Sequence, residues 1–163
     1  MSISRNRFRK SATITAASAA AVLATAGIAA ASASQPSITS PTTVVLHARG
    51  GSATFVNIRH KKGFAIGDEI ILAQPVFNPA HPKTVVGHGY VTITLVGRGK
   101  SQDQATLVLK KGQIDLSGIQ GSNPFKLAVT GGTGLFANAS GQATIKTGNG
   151  KGNPATITLS LLP

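Results

Sequence analysis

The stretch Leu127-Ala128-Val129-Thr130-Gly131-Gly132-Thr133-Gly134-Leu135-Phe136 decides how the chain is read. An apolar run that ends in clustered glycines has two readings. It opens a phosphate-binding unit, or it turns one β-strand back onto the next. A dinucleotide site needs a further Gly, a helix whose N-terminus holds the phosphates, and a later strand with an acid for the ribose. Here Leu135-Phe136 stand where the further Gly is wanted, and Ala137-Asn138-Ala139-Ser140-Gly141 is too short for that helix. Only 29 residues follow Gly134, and they read as strands. No Lys-Ser or Lys-Thr pair directly follows the glycines, so a phosphate loop is excluded too. The hairpin reading meets no such objection. Glycines supply the positive φ angles of a tight turn, and Phe136 can fold back over the end of a barrel.

The segments on either side agree with it. Short apolar or alternating runs cover 43–48, 53–58, 69–73, 84–96, 105–109, 113–116, 125–130, 143–146 and 155–162. They are rich in Val, Ile, Thr and Leu, which suit a pleated sheet. In 90–96, Val91, Ile93 and Leu95 point one way and Tyr90, Thr92 and Thr94 the other. Ile114 and Leu116 likewise oppose Gln113, Asp115 and Ser117. Asn78-Pro79-Ala80-His81-Pro82 and Lys100-Ser101-Gln102-Asp103-Gln104 read as loops. Period two with frequent turns predicts an all-β fold, an eight-stranded antiparallel β-barrel. Such a barrel leaves no exposed sheet edge and has room for side chains or one small ligand.

The first third is different. Arg5, Arg7, Arg9 and Lys10 precede an uncharged Ala-rich stretch and then Ala31-Ser32-Ala33. A basic start, an apolar stretch and a small-residue site predict a secretory signal peptide over 1–33 and a secreted protein. A retained membrane anchor is the weaker reading, because Ala, Ser and Thr contribute little to insertion. Residues 34–42, with Pro36 and Pro41, read as a flexible leader to a barrel domain at 43–163. The full chain has a net charge of +12, and removing residues 1–33 leaves +8. The basic pairs flank Gly turns, as on a solvated surface; an anionic cell envelope is the sharper partner. Nucleic acid is not expected, since only Phe55 and Phe64 lie near a basic cluster. The chain has no Cys, which removes disulfides, thiol catalysis and cysteinate metal sites.

The glycine-rich hairpin carries a family resemblance. Ala128 to Phe136, with Gly131, Gly132, Thr133, Gly134 and Phe136, followed by Ala139-Ser140-Gly141-Gln142-Ala143, is similar to the characteristic hairpin of dirigent and allene-oxide-cyclase-like proteins. Gly67-Asp68-Glu69-Ile70-Ile71-Leu72 resembles that family's glycine–aspartate strand start, and Lys111 to Gly118 its strand with a Gly on either side. The resemblance covers about residues 54–147. It implies an eight-stranded antiparallel barrel, commonly trimeric, with a central apolar cavity for a small apolar or phenolic molecule. Family chemistry does not carry over residue by residue. Allene oxide cyclases use a first-strand acid and a cysteine. Here the first-strand candidate carries Asn57 and no acid, and Val91 falls where the cysteine would. In dirigent proteins an acid often follows the glycines and an Arg precedes the later Gly; here those places hold Leu135 and Ser140.

Candidate site residues are therefore few. Asp115 is a buried catalytic acid if the interior lies on its side, and an exposed partner for a Lys if not; rarity of lone buried acids favours exposure. His88 and Tyr90 share one face of a strand and can pair a proton donor with an acceptor, or simply pack with their polar tips in water. Asn57 and Tyr90 are candidate ligand contacts. No His pair has metal-ligand spacing, so neither metal nor cofactor is expected. A binding or orienting protein is the first functional reading. A cyclase or isomerase and a cationic envelope protein are the alternatives.

Overall fold

The computed structural model describes residues 40–60, 62–97, 99–149 and 153–162. The signal peptide at 1–33 and most of the 34–42 leader lie outside the described residues.

Among the described residues nine strands form one antiparallel sheet: β1 (Thr42–Ala48), β2 (Ser52–Val56), β3 (Glu69–Asn78), β4 (His81–Gly97), β5 (Lys100–Leu109), β6 (Gly112–Gln120), β7 (Phe125–Gly132), β8 (Ser140–Lys146) and β9 (Ala155–Leu162). Their order is β1-β9-β8-β7-β6-β5-β4-β3-β2, and β1 also pairs with β3. That last pairing closes the sheet into a barrel of eight staves. β1 and β2 share one stave, because both lie along β3: Ala48 opposes Val76, and Ser52 opposes Ala73. Three residues, Arg49-Gly50-Gly51, therefore face two, Gln74 and Pro75, in a bulge that bends the first strand. Pro75 has no N–H to offer, and it sits where the ladder is already interrupted.

Strand alternation decides the interior. Leu107, Ile114, Leu159, Leu161 and Val76 are almost fully buried, and Leu46, Leu116, Leu127, Val129 and Ile157 join them in one apolar cluster. Ile114 and Leu116 point inward and Gln113 outward, as the alternation predicts. Two segments read as loops are strand instead. β3 and β4 run on to a two-residue turn at Pro79-Ala80, and Lys100–Gln104 forms the first half of β5. The second of these corrections changes the site.

The glycine-rich hairpin closes one end of the barrel. A short 3-10 turn (Gly134–Phe136) puts Phe136 into the buried cluster. The turn is pinned to the start of β6, with Thr133 N donating to Gln113 O at 3.0 Å and Leu135 N to Lys111 O at 2.8 Å. Gly134 has φ +62°, and a Cβ there would run into the Lys111 carbonyl, so the position requires glycine. The β4–β5, β6–β7 and β8–β9 turns lie at the opposite end, with the long β2–β3 connection, and that end is the mouth.

A candidate ligand cavity and its buried acid

Between mouth and plug the barrel encloses a cavity of about 350 Å³. Its wall is mainly apolar, with Leu72, Val91, Leu107, Leu116, Leu127 and Ile157 among the lining side chains. Gly89 contributes no side chain to the interior face of β4, which helps keep space open. A wider vestibule of about 560 Å³ lies at the mouth and includes Phe64, Ile66, Leu95 and Lys100. Ile93 and Gln120 line both spaces, so the two adjoin.

Few polar groups face the cavity. Gln74, Gln120, Thr147 and Asn153 are in its wall, and so is Asp103, which is only 3 % exposed. Asp103 is inward because β5 alternates: Ser101, Asp103, Ala105 and Leu107 face the interior. Opposite it on β6 stands Gly118. The Ser101 hydroxyl donates to Asp103 Oδ1 at 2.7 Å. Burial pushes the Asp103 carboxyl above its usual value of 3.8, and the Ser101 hydrogen bond opposes that shift. Arg49 also reaches the lining, but its guanidinium is committed elsewhere. It donates to Pro82 O at 2.8 Å and lies over the Phe77 ring at 4.9 Å. The cavity is thus an apolar chamber with one acid held toward its neutral form.

That shift has a stability consequence. A carboxyl whose pKa is higher folded than unfolded binds more protons in the native state between the two values. Stability therefore falls as pH rises from about 3.8 through the folded pKa. Asp103→Asn should remove this slope. The variant should melt a few degrees above the parent at pH 7 and together with it in acid, as thermal melts across pH will show.

The residues singled out from sequence fall elsewhere. Tyr90 is 51 % exposed and His88 is exposed, both on the outer face of β4. Asp115 also faces outward, half-buried, and accepts from Thr106 Oγ1 at 2.8 Å, where a neighbouring Lys was the expected partner. Tyr90 pairs across the ladder with Thr106, and Thr106 with Asp115, so Tyr90 and Asp115 share an outer groove of about 470 Å³. Asn57 lies half-buried between β2 and β3, and is not among the residues described as lining the cavity or vestibule.

The Gly67-Asp68 motif positions the mouth. Asp68 is fully buried, and its two carboxylate oxygens accept from Ile58 N at 3.0 Å and Ala65 N at 2.8 Å. It staples both ends of the 58–65 loop to the start of β3. Among the described residues no group of His, Cys, Asp and Glu could hold a metal ion.

A pyocyanin demethylase is similar at TM-score 0.65 and 21% identity, over 74% of this chain and 100% of that one. A pterocarpan synthase dirigent protein is similar at TM-score 0.57 and 16% identity, over 76% and 94%. The fold is that of the dirigent and allene-oxide-cyclase-like barrels. The Diels-Alderase AbmU from Streptomyces koyangensis shares this barrel too, at TM-score 0.55 and 13% identity, over 82% of this chain and 72% of that one. No family model matches the sequence, and no curated protein does.

Proposed function

We propose that this protein binds one small, largely apolar molecule inside the barrel and orients it by its polar end. The observation that carries the reading is the mainly apolar cavity inside the barrel, with Asp103, Gln74 and Gln120 among its few polar groups. A pocket of that kind takes its affinity from apolar burial and its orientation from a few directed hydrogen bonds. Burial favours the protonated form of Asp103, which donates a hydrogen bond to a carbonyl, ether or phenolic oxygen at one end of a ligand. Dirigent and Diels-Alderase barrels are named for guiding or joining small organic molecules, which supports the reading. Secretion, from the basic and apolar start of the chain, and assembly as a homotrimer belong to the same proposal.

The raised pKa of Asp103 favours a second reading, catalysis of an isomerisation or cyclisation. The carboxyl gives its proton to a substrate oxygen and takes one back as product forms, so all substrate atoms stay in the product and no co-reactant is needed. On either reading the outer-face residues are bystanders.

Titration with a neutral apolar fluorophore, N-phenylnaphthylamine, tests the cavity. Saturation at one probe per chain is expected. Tyr90→Phe, His88→Ala and Asp115→Asn should each leave its affinity within about twofold, as surface changes usually do. If any of the three abolishes binding, the site is the outer groove and the interior reading is wrong.

A further inference from the structure

The mouth carries an apolar surface that the cavity reading does not use. Phe64 is 72 % exposed and Ile58 and Ile66 are each 58 % exposed; Phe55 and Val56 on β2 extend the patch. The Phe55 and Phe64 rings meet edge to face, with centroids 5.0 Å apart and planes at 78°. These side chains are presented on a fixed loop. Asp68 ties Ile58 and Ala65 to the barrel, so the loop that carries these apolar tips is anchored at both ends while the tips stay exposed. Large apolar side chains clustered in water at this density mark a docking surface.

The charges around the patch identify what docks. Arg59 and Lys62 lie in the same loop, and Lys100 lines the vestibule with Phe64 and Ile66; all three are exposed. Of the acids near this end, Asp68 and Asp103 are buried and Glu69 is half-buried, with its Oε1 accepting from Thr94 Oγ1 at 3.3 Å, so the fully exposed charge beside the patch is basic. Exposed aromatic and aliphatic tips beside exposed Arg and Lys side chains are the composition that binds an anionic bilayer surface.

We propose that the barrel mouth docks onto an anionic lipid bilayer, with Phe64, Ile66 and Ile58 inserted and Arg59, Lys62 and Lys100 at the headgroups. This goes beyond the cavity reading, since docking needs no cavity ligand. It also gives the vestibule a direction. Phe64 and Ile66 line it, and Ile93 and Gln120 continue from it into the cavity, so a docked barrel opens toward the membrane.

The chain contains no Trp, so Phe64→Trp introduces a single fluorophore at the patch. Val85→Trp places one on the exposed surface toward the plugged end as a control. Both full-length variants keep the same N-terminal residues, so position-resolved signals report on the mouth and not on the leader. With vesicles of equal parts phosphatidylglycerol and phosphatidylcholine, the Phe64→Trp emission should shift to the blue and be quenched by brominated acyl chains. The Val85→Trp emission should stay unshifted. Adding Lys62→Glu and Lys100→Glu to Phe64→Trp should weaken partitioning about tenfold or more. An unshifted Phe64→Trp emission on anionic vesicles overturns the proposal, and so does an equal response on pure phosphatidylcholine. A blue shift that grows with protein concentration in the absence of lipid also overturns it, and makes a second copy of the chain the occupant.

Discussion

Asp68→Ala should cost the fold about 3 kcal/mol, measured by urea unfolding at pH 7. The size follows from its two charge-assisted hydrogen bonds. Each is worth roughly 1.5–3 kcal/mol, but the released N–H groups of Ile58 and Ala65 recover part of that from water once the loop lifts. Asp68→Asn should lose about half as much, because one acceptor oxygen remains. Hydrogen exchange should place the damage in residues 57–67 and the adjoining end of β4, where Leu95 N donates to Asp68 O at 2.9 Å. A substitution here that left both stability and loop protection unchanged would mean that the Gly67-Asp68 motif does not organise the mouth.

Gly89→Leu should reduce binding of the cavity probe by at least about a hundredfold, while the protein stays folded. Gly89 is buried and lines the chamber. A Cβ added there meets Leu107 Cδ2 at 3.4 Å and Val76 Cγ2 at 3.6 Å, which are ordinary contacts. The remaining carbons must enter the space a ligand would occupy. Losing the burial of several ligand carbons, at roughly 0.8 kcal/mol per CH2, accounts for a change of that order. Asp103→Asn should have a smaller and more selective effect. It should leave a purely apolar probe bound and, because its amide still donates, hold a ligand oxygen nearly as well; Asp103→Leu, which removes the donor, should weaken such ligands by about tenfold, the worth of one buried hydrogen bond.

The barrel was legible in the sequence because apolar alternation survives wherever the interior is apolar. Val91, Ile93 and Leu95, and Ile114 with Leu116, show it directly. The Gly131–Phe136 hairpin was legible for a different reason: the backbone at Gly134 tolerates no side chain. Asp103 was not legible. At the mouth end of β5 the inward positions are themselves polar, so Lys100-Ser101-Gln102-Asp103-Gln104 has no apolar beat and reads as a loop. The signal lay one step away. Ala105 and Leu107 alternate inward, and extending that beat back by two and four residues reaches Asp103 and Ser101. Asp115 and Tyr90 attracted attention because they interrupt clear strands, yet the beat that buries Ile114 and Leu116 turns Asp115 out, and the one that directs Val91 inward does the same to Tyr90. Closure of the barrel through β1 and β3 joins Ala48 to Val76 and His47 to Phe77, far apart in the chain, and no local pattern encodes it.

The central claim is that the barrel holds a small molecule. Native mass spectrometry of the protein taken from its producing cells or their medium, without organic extraction, tests this most directly. The account predicts that each chain carries the mass of one small molecule, that denaturation releases it, and that Gly89→Leu is recovered without it. Parent chains that carry no added mass, and that bind neither N-phenylnaphthylamine nor extracts of those cells when these are added back, would contradict it.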